Sequence, residues 1–356
     1  MTMIEIIQRK LTEAGLDAVL VFDEKNLRYA SDFSFTDGAM LITRSFAFLY
    51  TDSRYIEAAE KTVSGGIALR CFGAKKRLSE LIKSDISDCG VKNIGAEEES
   101  LPHGRYLFWE ERLGVTLTPC QLIFNELRAS KTAQEQEYMR MAQKIAEKAL
   151  CDVLGIIRPG ITERDIAAEI TYRLLKHGGE GNSFDPIAVT GKNTSMPHGV
   201  PGDTVVAAGD FVTMDFGCLY HGYCSDMTRT VAVGGATDEM KNVYSTVLNA
   251  QLAGIKRAKA GIPGSDIDKA ARDVIASAGY GKYFGHSFGH SLGLYIHESP
   301  SASPNENTVM PVGAVISAEP GIYLPDKFGV RIEDVLILNE IGNENITHAQ
   351  KQLIIL

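Results

Sequence analysis

The 356-residue chain contains no run of eighteen apolar residues, so no part of it reads as a membrane-spanning helix. It has no basic block either. The densest cluster, Gly73-Ala74-Lys75-Lys76-Arg77, is a short solvated loop, and the formal net charge is −9. A nucleic-acid surface needs clustered lysine and arginine to neutralise phosphates, so that class of partner is excluded. Cysteine pairs at C-x-x-C spacing are missing: Cys71, Cys89, Cys120, Cys151, Cys218 and Cys224 are scattered. They read as reduced thiols, not as a disulfide framework or a thiolate zinc site. The opening MTMIEIIQRKLTEAGLDAVLVF lacks the basic start and apolar run of a secretion signal, because Glu5, Gln8, Arg9 and Lys10 interrupt it. A cytoplasmic protein is expected. No repeat at solenoid periods and no low-complexity segment is found.

What is present is ordinary globular material, 44% hydrophobic and 23% charged, and long enough for two domains with separate cores. The first part alternates helix and strand. IEIIQRKLTEAG is helical up to Gly15, DAVLVF is a buried strand, GAMLIT with FAFLYTD is a hairpin, and RYIEAAEKTV and RLSELIKSDISDCG are helical. This predicts an α/β domain over residues 1–128. The remainder, 129–356, opens with a long helix, N-capped at Ser130 with Gln134 or Glu135 as first-turn acceptor, running to Val153 before Pro159-Gly160. A second helix starts at Thr162 and ends at Gly178-Gly179, after which strands and glycine-rich turns are expected to the end.

The chemistry-bearing residues fall in this second part. In DFVTMDFGCLYHGYCSDMTRTVAV, two β-favouring runs flank His221-Gly222, a two-residue hairpin turn. The implied register sets Asp215 opposite Thr228 and Gly217 opposite Asp226. Asp215 and Asp226 are then diagonal neighbours on one face, roughly 7 Å apart. Two carboxylates that close repel unless they share a proton, hold a divalent cation, or end in solvent. Glu319 in AVISAEPGIYL and Glu333 in GVRIEDVLIL sit among apolar β residues and need partners, Arg331 being one candidate.

YFGHSFGHSLGLYIHESP holds two overlapping G-x-S-x-G sequences around Ser287 and Ser291. A nucleophile elbow requires a buried strand running into the turn and a helix after it. The preceding SAGYGKYF is no such strand, and glycine at 285, 289 and 293 disfavours the helix. The glycines suit a turn that lets backbone approach a site. One histidine with four carboxylates makes an oxygen-rich site for two divalent ions, suited to Mn²⁺ or Co²⁺ at least as well as Zn²⁺. Two such ions about 3.5–4 Å apart can share one hydroxide.

The order Asp215, x10, Asp226, x63, His290, x28, Glu319, x13, Glu333 resembles the five-ligand signature of the pita-bread metallopeptidases, as do MDFGCLYHGYCSDMTRT, GHSLGLYIHESP, AEPGIY and GVRIEDV. The likeness spans residues 130 to 356, and the leading domain is similar to that of the proline-peptide members and creatinase. The resemblance implies an α+β fold, a pita-bread catalytic domain preceded by a smaller creatinase-type α/β domain. It implies that Asp215 chelates one metal, His290 and Glu319 the other, and that Asp226 and Glu333 bridge. Glu319 falls at the general-base position, His198 and His297 at those of substrate-binding histidines, and His286 and Arg331 at those of supporting polar groups. The implied activity is hydrolysis of the Xaa-Pro bond at the N-terminus of short proline-containing peptides, with two ions, Mn²⁺ first, in a homodimer. One departure bears on the choice between aminopeptidase and dipeptidase. Ser301 stands directly after His297-Glu298-Ser299-Pro300, where prolidases carry an arginine for the dipeptide carboxylate. A prolidase, a non-catalytic binding module and a metal-free creatinase-like hydrolase are the alternatives.

Overall fold

The computed structural model describes residues 2–63 and 66–356; Met1, where the N-terminal stretch begins, lies outside them. The chain divides into two compact units, Met1–Leu127 and Arg128–Leu356.

The first unit is built on a six-stranded mixed sheet. Its strands are β1 (Ala18–Val21), β2 (Ala39–Thr43), β3 (Ala47–Thr51), β4 (Ile67–Cys71), β5 (Ile94–Ala96) and β6 (Leu117–Pro119), in the order β4-β3-β2-β1-β5-β6. Helices α1 (Met3–Glu13), α2 (Glu24–Ser31), α3 (Ile56–Thr62), α4 (Leu78–Asp88) and α5 (His103–Leu113) intervene, and α6 (Gln121–Ala129) follows. Helix α1 starts at a capping box between Thr2 and Glu5 and buries Ile4, Ile7 and Leu11, one stripe at helical spacing. The expected hairpin of residues 39–51 is the antiparallel β2–β3 pair. Several short elements escaped the sequence pattern, because strands of three to five residues carry too few alternations to register.

The second unit opens with α7 (Ala133–Leu154) and α8 (Glu163–Lys176). The N-cap of α7 is Thr132, not Ser130: the Thr132 hydroxyl accepts from Glu135 N and Glu135 answers at Thr132 N. Ser130 instead donates to the Val312 carbonyl, a tertiary partner that no local pattern reveals. Strands β7 (Gly181–Asn182), β8 (Ile187–Thr190), β9 (Phe211–Phe216), β10 (Cys218–Tyr220), β11 (Tyr223–Cys224) and β12 (Met227–Ala232) form two small sheets, β12-β9-β8 and β11-β10-β7.

The expected all-strand remainder is interrupted by two helices, α9 (Asp238–Arg257) and α10 (Gly264–Ser277). Their signal was present: Thr237 caps α9, and Met240, Val243, Tyr244, Val247 and Ala250 are buried at helical spacing. Strands β13 (Gly289–Ser291), β14 (Glu298–Ala302), β15 (Val315–Ala318), β16 (Gly321–Leu324), β17 (Phe328–Arg331), β18 (Asp334–Leu338) and β19 (Asn343–Asn345) complete the unit. A five-stranded sheet runs β14-β13-β15-β18-β19, with β16 paired to β17. One apolar core packs α7 and α8 on β8, β9 and β12, and a second packs α9 and α10 on β15 to β18. The chemistry-bearing residues are drawn from the sheets of both halves.

Candidate active site

The hairpin register is the one read from the sequence. Strands β9 and β12 pair with Asp215 opposite Thr228, and beyond the irregular stretch Leu219 pairs with Cys224 and Tyr220 with Tyr223. His221 (φ 47°) and Gly222 (φ 71°) are both left-handed, as a type I′ turn demands. The ladder stops at Phe216↔Met227, so Gly217 and Asp226 are not a regular pair. A Cβ on Gly217 would stand 1.8 Å from the Ser225 carbonyl oxygen, so only glycine fits there.

Asp215, Asp226, His290, Glu319, Glu333, His198, His286, His297 and Arg331 all line one cavity of about 410 Å³. Asp215 comes from β9 and Asp226 from just before β12. His290 lies in β13, and Glu319 and Glu333 follow β15 and β17. His290 Nδ1 faces the Ser291 carbonyl at 3.2 Å and must donate to it. Nε2 then points at Glu319 (3.2 Å) and Asp226 (3.6 Å): protonated, it donates to Glu319, and deprotonated, it offers a lone pair to a cation. Ser287 lies on the cavity wall, but Ser291 is buried and bonded to the Pro300 carbonyl. Its segment is strand followed by turn, with no helix, so the nucleophile-elbow geometry is absent.

The carboxyls are too many for a dry pocket. Burial, then Glu333 and Asp215, push Asp226 well up; burial, then Glu319 and Asp215, do the same to Glu333. Burial also raises Asp215, although Arg331 Nη2 sits 2.5 Å from it. Arg331 therefore pairs with Asp215, not with Glu319 or Glu333. Glu319 differs. Burial raises it, but the His290 bond and charge, with His286 and Arg331, more than offset that and hold it at about 2.

One oxygen each of Asp215, Asp226 and Glu333 is buried without a hydrogen-bond partner. Asp226, His290 and Glu333 offer ligand atoms all within 4.8 Å of one another. Orphaned, mutually repelling carboxylate oxygens beside an imidazole nitrogen that a cation can claim in place of a proton are the donor set of a divalent-cation site. The residues fit the metals that the resemblance implies.

Around this centre lies a hydrogen-bonded frame. Arg331 donates from Nε to Thr228 (3.0 Å) and from Nη1 to Tyr323 (2.8 Å) and the Pro197 carbonyl (3.1 Å). The Thr228 hydroxyl donates to Glu333 at 2.7 Å. His286 Nδ1 faces the Ser287 carbonyl and Nε2 the Tyr323 hydroxyl, 2.9 Å away. A neutral ring, favoured by burial, then donates from Nδ1 and accepts from tyrosine at Nε2. The exposed His297 lies edge-on to His290, ring centres 4.4 Å apart. Tyr323, Thr228, Phe184, Asp185, Ile187 and Ile296 were missed from the sequence. Thr228, opposite Asp215 in the predicted register, was within reach of that reading.

Residues 137–340 match metallopeptidase family M24. The chain belongs to that family. Its larger unit is the pita-bread domain, and residues 3–130 match the creatinase/prolidase N-terminal domain. The chain is 36% identical over 342 residues to the Xaa-Pro dipeptidase of Pyrococcus horikoshii, covering 96% of this chain and 95% of that one. Among solved structures it resembles an Xaa-Pro dipeptidase from Bacillus anthracis (TM-score 0.96, 39% identity, 99% of each chain). It also resembles an X-Pro aminopeptidase from Thermotoga maritima (TM-score 0.91, 35% identity, 98% of this chain and all of the other). This family member is accordingly a metal-dependent hydrolase of peptides in its larger unit.

Proposed function

We propose that this family member is an Xaa-Pro aminopeptidase, releasing the first residue from peptides that carry proline second. The observation behind the choice is a missing cation. Among the described residues lining the cavity, Arg331 is the one lysine or arginine, and Asp215, Tyr323 and the Pro197 carbonyl already occupy it. Ser301 bonds to Ser303 and is not on the cavity wall. A dipeptide's terminal carboxylate would meet no unspent positive side chain. The second reading, a dipeptidase, is favoured by the names of the P. horikoshii and B. anthracis relatives. Manganese as the resident ion and a cytoplasmic homodimer belong to the same proposal and are carried over from the family resemblance.

Asp215, Asp226, His290, Glu319 and Glu333 would hold two divalent ions, which supply Lewis acidity and a water acidic enough to attack at neutral pH. Glu319, kept ionised beside His290, takes the proton of the attacking water. His198 and His297, on the cavity wall, bind the substrate and donate to the carbonyl oxygen as it gains charge. Glu319 then returns its proton to the departing proline nitrogen. Arg331 and Thr228 keep Asp215 and Glu333 aimed, the Ser287 carbonyl fixes the His286 tautomer, and the Tyr323 hydroxyl donates to Nε2 of that ring.

The test is hydrolysis of an Xaa-Pro dipeptide and the matching Xaa-Pro-Xaa tripeptide by metal-stripped protein, with and without Mn²⁺. Mn²⁺-dependent cleavage of the tripeptide alone is expected. Cleavage of the dipeptide alone would establish the dipeptidase reading, and cleavage of neither by folded, loaded protein would overturn both.

A further inference from the structure

Between the pairs Asn182↔Cys218 and Ile187↔Asp215, the chain joining β7 to β8 runs through four residues, 183–186, where the facing chain from β9 to β10 runs through two, 216 and 217. The surplus of two residues makes this stretch, which holds Phe184, Asp185 and Pro186, bulge from the facing chain. Proline suits it, having no N–H to offer a ladder, and bulges beside active sites re-aim side chains. Phe184 and Asp185 line the catalytic cavity together with Ile187 and, from the opposite loop, Ile296.

Asp185 is exposed, and no hydrogen bond or ion pair joins it to any described residue. Among the described residues it is also the one cavity-lining carboxylate outside the group Asp215, Asp226, Glu319 and Glu333. Among the described residues the cavity thus carries one negative charge outside the metal-ligand set, no uncommitted lysine or arginine, and an apolar wall next to that charge. A concave site with low-dielectric walls strengthens the pull of such a charge on a cation.

We propose that Asp185 is a substrate-recognition residue that selects a basic side chain, lysine or arginine, on the substrate's first residue. The aliphatic stem lies along Phe184, Ile187 and Ile296 while the charged end meets the Asp185 carboxylate, the usual division of such side chains between apolar and polar surroundings. The substrate's α-ammonium is a different cation. It is two bonds from the attacked carbonyl carbon and must lie deep, beside the buried Asp215 and Asp226, whereas Asp185 stands at the exposed end. This inference rests on the peptidase reading above and narrows its substrate class.

The experiment compares kcat/KM for Lys-Pro-Ala, Leu-Pro-Ala and Glu-Pro-Ala with Mn²⁺-loaded wild type, Asp185→Asn and Asp185→Lys, at low and high salt. In Asp185→Asn the preference for lysine over leucine should fall about tenfold, carried by KM, and Asp185→Lys should move the preference toward glutamate. High salt should narrow the wild-type preference. Equal losses on all three peptides, or none, would overturn the proposal, because a structural bulge or an α-ammonium contact treats the three alike. Calorimetric titration of the same peptides covers the case of no turnover. Charge-dependent binding that Asp185→Asn removes would keep this inference while the peptidase reading falls. Turnover without Asp185-dependent discrimination would overturn this inference alone, and neither turnover nor Asp185-dependent binding would overturn both.

Discussion

Glu333 has one oxygen held by Thr228 and the other held by nothing, with Glu319 and Asp215 close enough to raise it further. Such a carboxyl opposes folding when no cation is present and favours it when one is. For a carboxyl whose folded pKa is raised, the native state binds the extra proton, so stability falls as pH rises from the unfolded value through the folded one. Metal-free protein should therefore lose stability above roughly pH 4.5, the ordinary range of a glutamate. Glu333→Gln should stabilise the metal-free protein by roughly 1–2 kcal/mol, the ordinary size of a single substitution, and so raise its melting temperature, while abolishing most of the stabilisation by Mn²⁺. Thermal scans in chelator and in Mn²⁺ check both signs; a variant less stable than wild type in chelator would refute the argument. At this scale the sequence was legible wherever polarity conflicted with context: carboxyls in β-rich apolar runs and histidines among glycines. Tyr323 and Thr228 were not legible, because a tyrosine or threonine in a strand is ordinary until its hydroxyl is seen between Arg331 and His286 or Glu333.

Secondary elements set the position of the carboxyls. The β9–β12 ladder and the His221-Gly222 turn could be read because a two-residue turn determines every pair in its hairpin. The break at Gly217 could not, since it depends on the Ser225 carbonyl and the Ser183 hydroxyl crowding that Cα, the latter from a segment more than thirty residues earlier. Gly217→Ala should cost roughly 3 kcal/mol or more, as overpacking against rigid backbone does, and should weaken Mn²⁺ binding because Asp226 follows Ser225. Unfolding and metal titration measure it; a loss below about 0.5 kcal/mol would mean that the hairpin has room to yield. The helices show two different misses. Helix α9 was overlooked although its period is plain, whereas Ser130 was chosen over Thr132 because each is a sound N-cap by composition.

The whole molecule is two units that the one tryptophan can tell apart. Trp109 is buried in the first unit and stacks on Phe22 at 4.7 Å, and the Phe22 N–H donates to Glu97. Glu97 is fully buried and also accepts from Asp23 N and Asn26, yet burial pushes its carboxyl up to about 7. The same sign applies as above. The unfolding free energy from denaturant titrations followed by Trp109 fluorescence should fall as pH rises from about 4.5 to about 7, by up to roughly 3 kcal/mol, and then level off. Glu97→Gln should flatten that slope, and an unchanged slope would assign it to other groups. In the second unit the ligands come from strands packed on two different cores, so the site exists only once both halves are folded.

Local chemistry determined by sequence alone is therefore the part governed by short-range periodicity: the Thr162 start of α8, the hairpins, the register that sets Asp215 opposite Thr228, and the conflict between buried carboxyls and their apolar neighbours. Tertiary structure alone decided which charges meet. It paired Arg331 with Asp215, placed Tyr323 between Arg331 and His286, and left Asp185 at the cavity wall without a partner among the described residues. The reason is physical. Helix and strand periods are written into a few neighbouring residues, whereas a buried charge is settled by whichever groups the whole chain brings within a few ångströms of it, here from segments as far apart as residues 185 and 333.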